Sequence, residues 1–417
     1  MAELPLPFTE YTRQLMGEER FERFMQSFEE EPPVSIRLNP KKVEADGKRL
    51  EVCDGEAVAW CRNAYYLRHR PAFTMDPLFH AGCYYVQEAA SMFLDEVLRQ
   101  LMSPSSSLFP LSSLHCLDLC AAPGGKSTLL RSALPEGCVL YSNEPIRQRA
   151  SILTENVAKW GGRNHIVTNA YPRDYRQSKM KFDLILCDVP CSGEGMFRKD
   201  ETTIREWSPL QVEKCWKLQR DIISDIWPCL NEGGLLIYST CTFNTKENEE
   251  NIQWILSEYD AEVVPVSNRP EWNITGSLFP GFTEPVYRFI PGITRSEGLF
   301  LCVLRKPGNC LKQTQRLPQV NLPFTLGKID TSSKPAESQV ELTYQQAISY
   351  LRGEALVLPP ETPRDIIEVT FMGHPLGQVK NIGTRANNLY PKPWRIKTTH
   401  YNNDYEAILR HTESHSD

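Results

Sequence analysis

Two cysteines follow apolar runs that we interpret as buried strands. Cys191 comes after "FDLILCDVP", and Cys241 comes after "GGLLIYST". Side chains at the carboxyl ends of strands in a parallel α/β sheet meet the ligand, and a thiolate there can form a covalent intermediate with a substrate. A free thiol titrates at about 8.5, so such a site must favour the thiolate. A helix N-terminus or the cation of Lys126 could do so.

Two other interpretations of these cysteines are open from residue type alone. Free cysteine often packs as a small hydrophobic residue. A zinc site is the second alternative, but the Cys-x3-Cys spacing of "CDVPC" and the lack of paired cysteine and histidine ligands argue against it. We therefore expect no metal ion. Purely structural cysteines are expected at Cys116, Cys187, Cys215, Cys229 and Cys302.

A glycine-rich loop, "LDLCAAPGGKST", joins a predicted strand to a predicted helix. It fails the phosphate-binding pattern G-x-x-x-x-G-K-[ST] because Cys120 occupies the first glycine position, and G-x-G-x-x-G fits no better. Glu144 ends the next strand, about twenty residues on, which is the offset of a ribose-binding acid. The combination favours S-adenosylmethionine. The alternative is a simple glycine turn beside a solvated surface acid. The residues expected to bind the cofactor are Cys120, Ala121, Ala122, Pro123, Gly124, Gly125, Lys126 and Glu144.

Composition places the chain among ordinary globular proteins. Its 417 residues are 41% hydrophobic and 24% charged, so we expect two or three domains. Apolar runs of about eighteen residues and a signal-peptide pattern are both lacking, so we expect no membrane span and no export. Thirteen cysteines without framework spacing are typical of reduced thiols in a cytoplasmic protein.

The charge of the chain argues both for and against binding to nucleic acid. The net charge of −6 argues mildly against it, since phosphate binding is largely electrostatic. However, the stretch "KNIGTRANNLYPKPWRIK" contains no acidic residue, and an uneven charge distribution outweighs the total.

The order of apolar runs predicts the domain organisation. Strand-like and helix-like runs alternate between residues 113 and 306, which favours an α/β fold with a parallel sheet covered on both faces. We place an N-terminal domain at 1–112, a linker at 307–340, where proline, serine and glutamine predominate, and a small, mainly β domain at 341–417.

Several long motifs occur in order along the chain. "LDLCAAPGGKST", "CDVPCSGEGMFRKD" and "STCTFNTKENEENI" resemble the RNA cytosine-C5 methyltransferases of the Nol1/Nop2/Sun family. "GCYYVQEAASMF" and "GHPLGQVKNIGTRANNLYPKPWRIK" look like the bacterial branch that modifies 16S ribosomal RNA. The resemblance covers nearly the whole chain. It implies a Rossmann-like S-adenosylmethionine-dependent methyltransferase domain, an N-terminal α+β RNA-binding extension, a C-terminal PUA-like domain and ribosomal RNA as partner.

The resemblance also implies roles for single residues. Cys241 would add to C6 of a cytosine, so that C5 becomes nucleophilic enough to accept a methyl group, and Cys191 would help to release the product. Asp188 would face the cofactor's methionyl end and the cytosine edge, and Lys126 would lie near the base. Arg149 would lie near the cofactor's carboxylate or cap a helix. A local ion pair or cap is the alternative for Asp188 and Arg149.

The chain departs from the family pattern at two contact positions. Tyr171 stands where many members have an acid that contacts the adenine amine, so either its ring covers the adenine or Asp174 substitutes. Gly292 stands where a histidine is expected after proline. Neither change affects the thiols.

RNA-binding residues are expected at both ends of the chain. Tyr390 and Trp394 lie in the basic stretch, where flat rings could stack on bases, although an aromatic core is the alternative. Arg37 and Asn39 lie in "SIRLNP", which resembles the family's N-terminal RNA-contacting segment.

Our leading hypothesis is methylation of cytosine C5 in small-subunit ribosomal RNA by a monomer. The same chemistry on transfer RNA or large-subunit RNA is one alternative. A ribosome-assembly factor that binds RNA without methylating it is the other, although such a protein would have no need of both thiols.

Overall fold

The structure is a computed structural model that describes residues 3–45, 48–103, 114–308, 324–329, 338–398 and 404–412. The predicted boundary at residue 112 lies outside the described residues. No helix in the described ranges is long and apolar enough to cross a membrane.

The N-terminal region combines a helical hairpin with a small antiparallel sheet. The sheet consists of β4 (Gly55–Ala57), β5 (Ala64–Leu67), β1 (Val34–Leu38) and β6 (Tyr84–Val86), in that order. Helix α4 (Phe93–Leu101) packs against the next part of the chain because its apolar residues recur on one face. The elements are α1 (Leu6–Met16), α2 (Glu18–Gln26), β1 (Val34–Leu38), β2 (Glu44–Ala45), β3 (Lys48–Val52), β4 (Gly55–Ala57), β5 (Ala64–Leu67), α3 (Pro77–Ala81), β6 (Tyr84–Val86) and α4 (Phe93–Leu101).

A nine-stranded sheet forms the middle of the molecule. Its elements are β7 (His115–Asp118), α5 (Gly125–Ala133), β8 (Val139–Asn143), α6 (Arg147–Trp160), β9 (His165–Thr168), α7 (Pro172–Ser178), β10 (Phe182–Asp188), α8 (Glu201–Glu206), α9 (Pro209–Ile226), β11 (Leu230–Thr240), α10 (Glu249–Glu258), β12 (Glu262–Val263), β13 (Tyr287–Phe289), β14 (Leu299–Arg305) and β15 (Thr325–Ile329).

The order of this sheet decides where a ligand can bind. It runs β12-β14-β11-β10-β7-β8-β9-β15, and β13 pairs with β14. The strands from β11 to β9 are parallel, whereas β14 is antiparallel to β11. The chain reverses direction across the sheet between β7 and β10, so a crevice opens beyond the carboxyl ends of those two strands. The predicted parallel α/β sheet is confirmed.

Strand β15 lies within the segment 307–340 that we predicted as a linker, although residues 309–323 and 330–337 of that segment are outside the described residues. β15 pairs antiparallel with β9 and extends the sheet by one edge strand. The side chain of Phe324, just before it, packs against Tyr175 with ring centroids 5.3 Å apart. The prediction missed this strand because few apolar residues are needed to hold an edge strand.

The C-terminal region is a small, mainly β unit. Its sheet has the order β16-β17-β18-β19, and β20 instead pairs with β3 of the N-terminal region. The two regions also share one hydrophobic cluster, which includes Leu38 and Tyr84 from the first and Tyr350 and Leu351 from the second. The elements are β16 (Gln339–Glu341), α11 (Tyr344–Leu351), β17 (Ile366–Phe371), β18 (His374–Asn381), β19 (Ala386–Asn388) and β20 (Leu409–His411).

Candidate active site

The thiols of Cys191 and Cys241 lie side by side. The loops after β10 and β11 bring the Sγ atoms of Cys191 and Cys241 to 3.3 Å from each other. Both side chains are half-buried. The hydrogen bond to Cys241, followed by burial, raises the pKa of the Cys191 thiol well above its ordinary value. The Cys191 thiol therefore keeps its proton at neutral pH, directly beside the sulfur of Cys241.

A half-buried cation lies next to the thiols. Lys126, in the first turn of α5, donates from Nζ to Oδ2 of Asp188 over 2.8 Å. Burial lowers the pKa of Lys126, but Asp188 and the nearby Cys241 together outweigh burial and raise it. The hydroxyl of Ser239 donates to the other carboxylate oxygen of Asp188 over 2.7 Å. Lys126 is thus held protonated and in one orientation, with Asp188 as its anchor.

The predicted cofactor loop turns tightly between β7 and α5. Gly124 has φ +119, a conformation that L side chains rarely adopt, and a side chain there would contact Leu153 and Asn156. Helix α5 begins at the next residue, so its first-turn N–H groups lack acceptors within the helix and give a positive potential. The loop can therefore approach an anionic or polar ligand with its backbone.

Asp118, at the end of β7, carries an unsatisfied buried oxygen. Its Oδ2 accepts from the Ser127 hydroxyl over 2.6 Å, whereas Oδ1 has no hydrogen-bond partner among the described residues. Burial raises the pKa of this carboxyl to about 7. A buried polar atom without a partner is costly, and a ligand's hydroxyl or amine at this strand end would satisfy it.

The expected ribose-binding acid lies beside the same loop. Glu144 is 1% exposed, accepts from the Ile146 N–H over 2.9 Å, and faces Arg149 at 3.4 Å. Arg149 also donates to the carbonyl of Ala122 over 3.0 Å. Both predicted residues thus lie at the loop. These features suit S-adenosylmethionine, whose ribose hydroxyls and amino-acid end need acceptors and a backbone cradle.

The structure distinguishes the two candidates for the adenine contact. Asp174 accepts from the backbone N–H of Tyr171 over 2.8 Å and so caps α7. The ring of Tyr171 is 54% exposed. Asp174 is thus engaged in the cap through Oδ2, whereas the exposed Tyr171 ring carries the Arg173 guanidinium 5.4 Å from its centroid.

The departure at Gly292 has a packing reason. Gly292 has φ +79, and a Cβ atom there would lie 2.3 Å from the carbonyl oxygen of Arg23 in α2. Real Cβ atoms do not approach a backbone oxygen so closely. The residue is a glycine because the N-terminal hairpin packs directly against this turn.

The expectation that Arg37 and Asn39 contact RNA is wrong. Both are buried, with exposures of 3% and 1%. Arg37 donates to Gln87 and to Thr128 of α5 and stacks over Trp160, with 4.4 Å between its guanidinium carbon and the ring centroid. Asn39 donates to the carbonyl of Trp160 over 2.8 Å. These residues attach the N-terminal sheet to α5 and α6 of the central region.

The aromatic residues of the C-terminal basic stretch also have structural roles. Tyr390 is 4% exposed and packs in the cluster shared with the N-terminal region, and Trp394 packs partly against it. Lys159 lies 5.6 Å from the centroid of the Trp394 ring. The alternative of an aromatic core is correct here, and the exposed residues of this stretch include cations such as Lys380 and Arg385 as well as apolar side chains.

Sequence reasoning missed Asp118, Ser239 and a buried network of Glu194, Asn244 and Glu247 behind the thiols. A signal was present for Asp118, which is an acid at the end of an apolar strand within "LDLC". No group of three potential ligand side chains in the described part of the chain could hold a metal ion.

Family models match three consecutive parts of the chain. The model described as 16S rRNA methyltransferase RsmB/F matches residues 106–305. The N-terminal domain of 16S rRNA methyltransferase RsmF matches residues 4–89, and the methyltransferase RsmF PUA domain matches residues 337–396.

Curated relatives match over most of the chain. The ribosomal RNA small subunit methyltransferase F of Cronobacter sakazakii is 28% identical over 86% of this chain and 89% of its own length. The protein of the same name from Shewanella loihica is 31% identical over 72% of this chain and 62% of its own length.

Solved structures agree with these matches. A methyltransferase homologue from Pyrococcus horikoshii is 26% identical, with a TM-score of 0.58, over 72% of this chain and 94% of its own. NSun6 from the same organism, crystallised with the S-adenosylmethionine analogue SFG, shares the fold at 19% identity, with a TM-score of 0.57, over 73% of this chain and 99% of its own. With matching models for all three of its regions, the chain belongs to the RsmB/F family of 16S rRNA methyltransferases.

Proposed function

We propose that this protein transfers a methyl group from S-adenosylmethionine to C5 of a cytosine in 16S ribosomal RNA. The observation that carries the proposal is the pair of thiols 3.3 Å apart, next to the Lys126–Asp188 ion pair, at the crevice end of the sheet. S-adenosylmethionine supplies an electrophilic methyl group when bound. The residues of this chain make the cytosine able to receive it.

Cys241 starts the reaction. Its thiolate adds to C6 of the ring, which breaks the aromaticity and places electron density on C5. Protonation near N3 helps this addition, and an acid held in one place suits that task. The half-buried Lys126–Asp188 pair lies next to Cys241 and is our candidate for it.

Cys191 acts at the end of the cycle. After methyl transfer, a base from the solvent takes the C5 proton, the C5–C6 double bond re-forms, and the C6–S bond breaks so that Cys241 leaves as a thiolate. Cys191 keeps its proton beside that sulfur, so it can stabilise the departing thiolate by a hydrogen bond. The two thiols thus serve addition and release in turn.

RNA contacts outside the crevice must supply much of the affinity, because a paired cytosine has to swing out to reach Cys241. The exposed cations of the C-terminal stretch, among them Lys380 and Arg385, are suited to phosphates.

We further propose that the protein acts as a monomer in the cytoplasm. All described cysteines are free thiols, which suits a reducing compartment.

Methyl transfer from labelled S-adenosylmethionine tests the substrate. The acceptors are purified small subunits that lack the modification, free 16S RNA and bulk transfer RNA, and bisulfite sequencing locates the product. We expect label at one or a few cytosines of 16S RNA. Label in transfer RNA alone would contradict the proposed substrate but support the proposed chemistry. RNA binding without any label would contradict the proposal that the protein is a methyltransferase.

A further inference from the structure

Two loops carry the thiols, and three buried side chains connect those loops. The first loop spans residues 189–196 and contains Cys191, and the second spans residues 241–248 and contains Cys241. Glu194 belongs to the first loop, and Asn244 and Glu247 belong to the second. All three side chains are at most 4% exposed. None of them has a place in the chemistry described above.

Each carboxylate binds the backbone of the opposite loop. Glu194 accepts from the N–H groups of Phe243 and Asn244 over 2.7 and 3.0 Å through one oxygen. Glu247 accepts from the N–H of Ser192, the neighbour of Cys191, over 3.0 Å. The connection is therefore reciprocal, because either loop could shift only by breaking a bond to a buried carboxylate.

The Asn244 amide joins the two carboxylates. Its nitrogen lies 2.8 Å from Oε1 of Glu247 and 3.0 Å from Oε1 of Glu194, so its two hydrogens can serve one carboxylate each. Its Oδ1 accepts from the Glu247 N–H over 2.9 Å. The three side chains thus have partners for nearly all of their polar atoms, as a buried polar network must have to hold a single geometry.

A fourth residue extends this connection to α9. Gln219 donates to Glu247 over 2.7 Å and to the carbonyl of Pro190, directly before Cys191, over 2.9 Å. The carbonyl of Cys241 also accepts from the Gly195 N–H over 2.7 Å. The backbone next to each cysteine is thereby fixed to buried partners.

We propose that Glu194, Asn244 and Glu247 are positioning residues that set the distance between the two thiols. None of them reaches the reacting atoms. They act by holding the Cys191 backbone against the Cys241 loop, so that the protonated thiol stays beside the sulfur that must leave. The proposal rests on the proposed function for its catalytic consequence, but the geometric part does not depend on that function.

Disulfide formation measures the distance between the thiols without any RNA. The oxidant is a diazenedicarboxamide, whose N=N bond takes up two electrons and two protons as the two thiols lose them and the S–S bond forms. In the unsubstituted protein the thiols are nearly in contact, so we expect rapid and selective closure between Cys191 and Cys241, which peptide mass mapping identifies.

The test variants are Glu247→Gln and Glu194→Gln. Each keeps the shape of the side chain but replaces one of the two acceptor oxygens with an NH2 donor. We expect each to slow disulfide closure about 10-fold and to lower kcat by about 10- to 100-fold, because a displacement of about 1 Å can cost that much. KM for both substrates stays unchanged, and a covalent enzyme–RNA adduct accumulates. Glu213→Gln is the matched control, since Glu213 binds the side chain of Lys246 rather than a loop backbone.

Circular dichroism and thermal melting show which variants are folded. Because the two variants lie on opposite loops, one of them can still test the proposal if the other does not fold. Unchanged closure rates in a folded variant would overturn the proposal. If closure slows while the unsubstituted protein methylates no RNA, then the positioning role stands and the proposed function fails.

Discussion

At the scale of single residues, the two thiols have different tasks although they are almost in contact. Cys191 keeps its proton because the hydrogen bond to Cys241, followed by burial, raises the pKa of its thiol. The division of labour between nucleophile and releasing group thus follows from their arrangement rather than from residue type.

This difference predicts unequal effects of substitution. Cys241→Ser should abolish methyl transfer, because a serine hydroxyl is not ionised at neutral pH. Cys191→Ala should still form the C6 adduct but release it slowly, so protein covalently bound to RNA should accumulate. Denaturing gels with labelled RNA measure both effects. Activity in Cys241→Ser would disprove the assignment of the nucleophile.

A second residue-scale prediction concerns Asp188. Asp188→Asn removes the charge that raises the pKa of Lys126, and should lower kcat by about 100- to 1000-fold, as loss of a preorganised electrostatic group does. Ser239→Ala is the control, since it removes one hydrogen bond and keeps the charge. Its effect should be about 10-fold. Equal losses in the two variants, measured as initial rates, would contradict the role of the charge.

At the scale of elements, the crevice depends on how the N-terminal hairpin packs against the methyltransferase domain. The turn at Gly292 touches the backbone of α2, and Arg37 of β1 reaches into α5 behind the cofactor loop. The helices and strands of the N-terminal region therefore form part of the wall of the methyltransferase domain.

Two glycines with nearly equal backbone angles test the hairpin contact. Gly292 and Gly281 have φ +79 and +81, but a Cβ atom at Gly281 meets nothing within 4 Å. Gly281→Ala should cost about 1–2 kcal/mol of left-handed strain alone. Gly292→Ala should cost about 1–3 kcal/mol more, since the backbone of α2 must shift. Hydrogen exchange of the α2 amides should rise only in Gly292→Ala, and equal exchange in both would contradict the contact.

At the scale of the whole molecule, the three regions meet around His80. Its Nε2 lies 3.0 Å from the carbonyl of Thr74, and its Nδ1 lies 3.5 Å from both Lys159 and the Tyr390 hydroxyl. Burial, and then the charge of Lys159, lower the pKa of His80 to about 4. The histidine therefore stays neutral between regions that come from distant parts of the chain.

This junction should weaken in acid. The folded protein holds His80 neutral, while the unfolded chain binds a proton below about pH 6.5. The stabilisation is thus complete above that pH and is lost as pH falls towards 4, by about 3 kcal/mol. His80→Gln should flatten the pH dependence of the melting temperature in this window. Identical pH profiles for both proteins would exclude the contribution of His80.

Much of the site was predictable from local sequence. Apolar runs that alternate with helical ones require a parallel sheet, and residues just after its strands must meet at one edge. Cys191, Cys241, Asp188 and the loop from Cys120 to Lys126 therefore lie where the sequence places them. To predict that these residues lie close together, one needs in addition only the order of the strands in the sheet.

Only the tertiary structure determines which polar and aromatic residues away from those strand ends are buried and what they contact. Arg37 and Tyr390 have the residue types of an RNA-binding surface, yet both are buried between regions far apart in the chain. Glu194 and Glu247 look like surface acids in the sequence, but each accepts from the opposite loop. Periodicity and turn chemistry act over a few neighbours, so they determine elements and strand ends. Burial of a charge depends on partners that folding brings from elsewhere, which no local pattern specifies.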